Sequence, residues 1–312
     1  MKRLLFLLLL LISFPLSSQD IKKVDGVTDT DIKKVSTVSD SNIKKVNGVT
    51  LATFTGILDD YPGAGLALSV RKLSTSYMGN CLRVQRSSDN TTQDIGFEAD
   101  GDLDESALTT FCSGTDGYVI KWYDQSGNGY EFDVAMSKWQ IVDNGSVLEK
   151  NSRPALFSLD DTPLSETVDF ADVSGSSQLY GISVVSASTF INTLCDNTAL
   201  DFLLFGSDFS NSYALFEGVS SYMYKNTTVS DNSQHICETI VQNASTAEIR
   251  IDGSVQSESA SGLASFSRSG TFTAWVGSDS ADSSESIQEL IVYPTNQSSN
   301  RSSIYTNVSS YY

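Results

Sequence analysis

From about residue 53 onward this chain is written in short apolar or alternating runs broken by polar turn residues, with almost no helical periodicity. Tyr118–Tyr123, Leu179–Val185, Asp201–Phe205, Ser212–Phe216, Thr271–Val276 and Ser286–Tyr293 are rich in β-branched and aromatic residues, as strands are. His235–Val241 alternates apolar with polar side chains, the pattern of a half-buried strand. Glu248–Ile251 runs into Asp252-Gly253 and on to Ser254–Gln256, a two-residue hairpin signal. Only two helices are expected. One is short, Glu105 to Cys112, with Asp104 as N-cap. The other spans about 298 to 311, with Ile304, Val308 and Tyr311 on one face, lying against the edge or end of the strands. Many antiparallel strands joined by polar turns predict an all-β sandwich, and about 250 residues suit a single domain of that kind.

The residues before position 53 are written differently. Met1-Lys2-Arg3 followed by an apolar run to Leu16 and then Ser17-Ser18-Gln19 has the grammar of an export signal, and the run is too short for a stable membrane span. Residues 20–52 then hold three copies of an eleven-residue repeat: Ile21–Val24, Ile32–Val35 and Ile43–Val46 all read Ile-Lys-Lys-Val. Asp25-Gly26 and Asn47-Gly48 supply turn chemistry, and β-branched residues favour short extended segments over a coiled coil. Three such repeats bury too little to order themselves, so a solvated stalk is expected, with oligomerisation through the repeats as the alternative. The domain plan is therefore a signal at 1–19, a repeat stalk at 20–52 and a sandwich at 53–312.

Charge and rare residues narrow the chemistry. The formal charge is −18, and losing Lys2 and Arg3 with the signal takes it to −20. Such a surface repels a phosphate backbone, so nucleic acid is excluded as a partner. One histidine, His235, and four scattered cysteines exclude a His- or Cys-rich zinc site. Export would place Cys81, Cys112, Cys195 and Cys237 where disulfides form; Cys81/Cys112 with Cys195/Cys237 is the sequence-order pairing among three connectivities. Loop carboxylates such as Asp94, Asp208 and Asp282 could serve calcium, but no spaced ligand motif supports it, and no cofactor is expected. Any catalysis must run on carboxylates.

Five blocks then carry a family likeness. Ala67–Tyr77, Leu82–Asp89, Thr92–Gly96, Leu103–Phe111 and the motif Trp122-Tyr123-Asp124-Gln125-Ser126-Gly127-Asn128-Gly129 follow one another in an order that resembles the catalytic domain of α-L-arabinofuranosidase B. Val276–Asp279, Ile287–Tyr293 and the end of the chain are similar to the end of that domain. The resemblance implies a concanavalin A-like antiparallel β-sandwich (a jelly roll) with a short C-terminal helix, and an activity that removes arabinose side chains with two carboxylates. It also implies site residues. Asp279 matches the family's acid/base, and Glu217 is the nearest match for the nucleophile, which must sit about 5 Å away in a retaining enzyme. Two departures stand beside this: Leu215 occupies a position the family gives to aspartate, and no two cysteines are adjacent.

The residues themselves offer bland readings as well. Asp124 and Ser126 can close a turn through side-chain-to-backbone bonds while Gly127 and Gly129 supply positive φ. Glu238 and Glu289 alternate within strands and read as solvent-face residues. Carbohydrate binding would draw on Asp124 and Gln125 in the motif and on the flat faces of Tyr222, Tyr224 and Trp275. Three functions are therefore in play: a secreted or surface-displayed glycan-recognising module, an active arabinofuranosidase, and a structural adhesin or phage virion protein that uses the repeats as a stalk.

Overall fold

The computed structural model describes residues 54–133, 139–159, 163–169, 178–186, 233–243, 246–256 and 285–312, with isolated strand segments before and between them. The chain divides into two compact units, residues 1–54 and 55–312. In the first, Lys34–Val35 pairs antiparallel with Val38–Ser39, and Lys45–Val46 with Val49–Thr50. Val35 faces Val38 and Val46 faces Val49, so two successive repeats pair in the same register. Asn47-Gly48, read as a turn, lies outside the described residues. The export signal and the first repeat lie outside the described residues.

The second unit is an antiparallel sandwich. Its first sheet runs Thr246–Ile251, His235–Asn243, Leu179–Ser186 and Ser286–Tyr293, whose far side pairs with both Leu156–Ser158 and Leu66–Ser69. The second sheet begins Thr92–Ile95, Leu82–Arg86, Gly117–Tyr123, Glu131–Asp133, Leu164–Asp169 and Thr271–Val276. It continues through Leu194–Asp196, Phe202–Phe205, Ala214–Glu217, Ser221–Lys225 and Glu258–Ser261. Trp139–Asp143 pairs with Gly117–Tyr123 on one side and Leu156–Ser158 on the other, so the backbone ladder passes from sheet to sheet. The hairpin at Asp252-Gly253 forms as read, with positive φ of 51° and 76° at its two turn residues.

Two apolar layers follow from the alternation. Between the sheets lie Leu66, Leu68, Leu290 and Val292 from the first, packed with Val84, Val119, Trp122 and Phe132 from the second. The opposite face of the first sheet buries Ala67, Tyr180, Ile182, Val184, Ile291 and Tyr293 against Ile304 and Val308 of the C-terminal helix Arg301–Tyr311. A short helix, Ile57–Asp60, adds Ile57 and Leu58 to this layer. Leu179–Ser186 and Ser286–Tyr293 are buried on both faces, which is why they read as near-continuous apolar runs. The helix therefore covers a face of the sandwich and not its edge or end, correcting the sequence expectation.

That cover also overturns the reading of Glu238 and Glu289 as solvent-face residues: both are fully buried. Glu289 accepts from Arg71 through Nε at 2.7 Å and Nη2 at 2.9 Å, and from Ser69 Oγ at 2.8 Å. Glu238 accepts from the Tyr180 hydroxyl at 2.8 Å and pairs with Arg301 Nη1 of the helix at 3.1 Å. Burial disfavours the charge on Arg71, but the adjoining Glu289 more than offsets it and raises the guanidinium pKa above its ordinary value. The alternation was right, and the covering helix changed what it faced.

The cysteines depart from the pairing as well. Cys81 and Cys112 are separate buried thiols, and Cys81 Sγ donates to the Ser69 carbonyl at 3.2 Å. Burial pushes the Cys112 thiol up to about 11.

Candidate functional site

The motif from Tyr123 to Gly129 leaves the second sheet and ties it to the first. Asp124 is 4% exposed and Gln125 3%. Asp124 Oδ1 accepts from the backbone N–H groups of Ala67 (2.8 Å) and Ser126 (3.0 Å), and Oδ2 from the Ser126 hydroxyl (2.5 Å). Gln125 Oε1 accepts from Leu73 N at 2.8 Å, while its Nε2 donates to the Arg71 carbonyl at 2.9 Å and the Ser69 carbonyl at 3.2 Å. Positive φ at Gly127 (97°) and Gly129 (79°) lets the loop double back. Burial raises the Asp124 pKa against these hydrogen bonds, which act to lower it. Asp124 closes the loop as its turn chemistry suggests, and the polar atoms of Asp124 and Gln125, the two motif residues named for sugar binding, are bonded to the protein.

Trp275 lies elsewhere. Along Thr271–Val276 the buried positions are Ala274 and Val276, while Trp275 is half-buried on the face turned away from the sandwich core. It stands opposite Ser165, and register carries the row on through Asp133, Lys121 and Arg83 to Asp94. This open face is polar and internally paired. Arg83 binds Asp94 through both Nε and Nη2 at 2.7 Å, the Tyr123 hydroxyl donates to the same carboxylate at 2.9 Å, and Lys121 bridges Glu131 and Asp133. The bond from Arg83 holds the Asp94 carboxyl below its ordinary range. Burial and the Asp94 hydrogen bond push the Tyr123 phenol up, so it stays protonated as a donor.

The remaining expected residues sit farther across the same sheet. Glu217 ends strand Ala214–Glu217, opposite Phe202. Tyr222 and Tyr224 fall opposite Phe216 and Ala214. Asp279, three residues past the end of Thr271–Val276, lies outside the described residues. The sheet thus brings the strands of Glu217, Tyr222, Tyr224 and Trp275 together and leaves Asp124 and Gln125 in a loop at its end. His235 lies at the hairpin, with Nδ1 2.8 Å from Asp252 Oδ2. Among the described residues no three His, Cys, Asp or Glu side chains converge to hold a metal ion, and no helix is long and apolar enough to cross a membrane. Sequence reading missed the paired row on the open face, since Arg83, Lys121 and Asp133 meet only through register.

Comparison with known proteins addresses the domain directly. Residues 61–201 match the family model of the α-L-arabinofuranosidase B catalytic domain. α-L-Arabinofuranosidase B of Aspergillus niger is 41% identical over 71 residues, covering 22% of this chain and 14% of that protein. The Emericella nidulans enzyme is 43% identical over 68 residues, covering 22% of this chain and 13% of its own. A crystal structure of an arabinofuranosidase complexed with arabinofuranosyl-α-1,2-xylobiose superposes with a TM-score of 0.52 and 18% identity, over 78% of this chain and 62% of that one. The chain thus matches less than two thirds of the length of these relatives, and the structural likeness speaks for the fold. From the quoted blocks, the family match and the shared sandwich together, the chain carries an arabinofuranosidase-B-like domain.

Proposed function

We propose that the sandwich recognises an arabinose-bearing polysaccharide on the open face of its second sheet, with Trp275 as the stacking platform. The observation that carries this is the place of Trp275: an indole turned away from the core, beside a row of hydrogen-bonding side chains. An aromatic face flanked by polar groups suits a sugar ring, whose C–H face is apolar and whose rim is hydroxylated. Tyr222 and Tyr224 would extend the platform. An export signal over residues 1–19 and the repeat stalk at 20–52 would present the module outside the cell, free or on a cell or virion surface. Affinity electrophoresis through arabinoxylan tests it: Trp275→Ala should weaken retention about tenfold, and unchanged retention would sink the reading.

Hydrolysis is the second reading, favoured because Thr271–Val276 leads to Asp279 and shares a sheet with the strand of Glu217. In it, Asp279 protonates the departing sugar oxygen and Glu217 attacks the anomeric carbon, the two carboxyls about 5 Å apart. Leu215 and the lack of adjacent cysteines favour recognition alone. Release of nitrophenol from 4-nitrophenyl α-L-arabinofuranoside, abolished by Glu217→Gln and by Asp279→Asn with retention intact, would establish the enzyme. A native chain that releases none is a binding module.

A further inference from the structure

At the end of the second sheet, loops 61–64, 74–79 and 125–127 line an open cleft of about 390 Å³. That volume falls in the usual range of small-molecule sites, about 300–1,000 Å³. None of its lining residues belongs to the row that ends at Trp275. Its walls are held in place beforehand. Asp59 accepts from Gly56 N at 2.8 Å, Ser74 Oγ at 2.7 Å and Thr75 N at 2.9 Å, which pins the second loop to the helix Ile57–Asp60. Gln125 pins the third through the bonds given above. The Tyr77 hydroxyl donates to the Asn80 carbonyl at 2.8 Å, closing the turn that carries Met78.

Two further features point to a ligand. On a chain of net charge −18, no Asp, Glu, Lys, Arg or His lines the cleft, so it selects against ions. At its rim Met78 is 88% exposed, and among the described residues only Val255, at 54%, is another exposed large apolar side chain. Met78 thus adds an adaptable thioether to the lining of the cleft. We infer that this cleft is a second binding site, distinct from the Trp275 face, for one or two rings of a neutral sugar: Met78, Pro62 and Leu58 meet the C–H face, and the exposed Ser76 hydroxyl, held 2.8 Å from Ser74 Oγ, meets ring hydroxyls. The choice of a sugar rests on the glycan-recognition reading above; the neutrality and size of the ligand do not.

The test uses the full chain labelled with 13C at its methionine methyl groups and titrated with xylobiose. The Met78 methyl resonance should shift saturably. Ser76→Trp, at an exposed position facing the cleft, should abolish the saturable binding measured by calorimetry without lowering the melting temperature. Met78→Glu should weaken it about tenfold. Val255→Ser, at the other exposed apolar side chain, should leave this affinity unchanged. A Met78 resonance that does not move, or a Ser76→Trp chain that binds as the native one does, overturns the proposal. The two sites fail separately: retention that Trp275→Ala leaves unchanged, beside an intact Met78 titration, removes only the open-face reading, and a silent Met78 beside retention weakened by Trp275→Ala removes only this one.

Discussion

The two faces that flank the sandwich carry similar ion pairs in opposite surroundings. On the helix-covered face, Glu289 with Arg71 and Glu238 with Arg301 have fully buried carboxylates. On the open face, Arg83 and Asp94 keep side-chain exposures of 40% and 31%, and Asp133 keeps 58% beside Lys121. Geometry is nearly the same in Arg71–Glu289 and Arg83–Asp94, with an Nε–O contact of 2.7 Å in each. Water is the difference. A dry pair has given up hydration that only its partner replaces, so each half depends on the other; a wet pair can fall back on solvent. On the covered side Arg301 ties the helix to Glu238, and Arg71, paired with Glu289, donates to Asn307 of the helix at 3.0 Å, while the open row can exchange its hydrogen bonds with water.

The largest effect should come from breaking a dry pair on one side. Glu289→Ala leaves the Arg71 guanidinium buried without its carboxylate and should cost about 3–5 kcal/mol. Urea denaturation followed by circular dichroism measures it. Replacing both partners together, Arg71→Met with Glu289→Leu, should cost far less, because no uncompensated charge remains. A double variant as unstable as the single one would mean that the loss lies in packing of Tyr311 and Tyr312 around the arginine, which they contact at 4.7 and 5.6 Å from ring centroids.

Next comes pH, where the two faces should carry opposite signs. Burial raises the Glu238 carboxyl above its ordinary range, outweighing the Tyr180 and Arg301 contacts that lower it. The folded state then holds that proton more tightly than the unfolded chain. Its contribution is complete below the unfolded pKa and is lost as pH rises through the folded one. Asp94 is lowered by Arg83, so its contribution is present above the unfolded pKa and lost as pH falls through the folded one. Denaturation of Glu238→Gln across this range should show a flatter decline toward neutral pH than the native chain. Asp94→Asn should flatten the acid limb instead. The same limb flattened by both would erase the distinction.

How much of this was legible in the sequence depends on what each residue faces. Local signals carried well: Asp104 caps its helix by accepting from Ala107 N at 2.8 Å, and Ile304 and Val308 share the buried face. The hairpin at Asp252-Gly253 needed only its own two residues. Alternation in His235–Val241 and Ser286–Tyr293 gave the strands but not their cover, since period two says that a face differs and not what lies on it. Glu238 and Glu289 were misread for that reason: their partners Arg301 and Arg71 lie 63 and 218 residues away. Asp124 and Gln125 show the same gap. Their motif was visible and so was its turn chemistry, yet the backbone groups that occupy them, at Ala67, Ser69, Arg71 and Leu73, belong to the first sheet and the loop that follows its strand.

The smallest stability change, and the sharpest check on the comparison, is expected at Arg83. Removing it by Arg83→Ala exposes Asp94 to water and to the Tyr123 hydroxyl, which still donates at 2.9 Å. With both partners already wetted, the loss should stay below about 1 kcal/mol and shrink further in about 1 M salt, where the Debye length falls to about 3 Å. Glu289→Ala should keep its full cost in the same salt, because ions do not reach a buried pair. Chemical denaturation with urea, which is uncharged, at low and high sodium chloride separates the two responses. An Arg83→Ala loss as large and as salt-insensitive as that of Glu289→Ala would mean that the open face is covered in solution. The row beside Trp275 would then be part of an interface and not a surface available to a glycan.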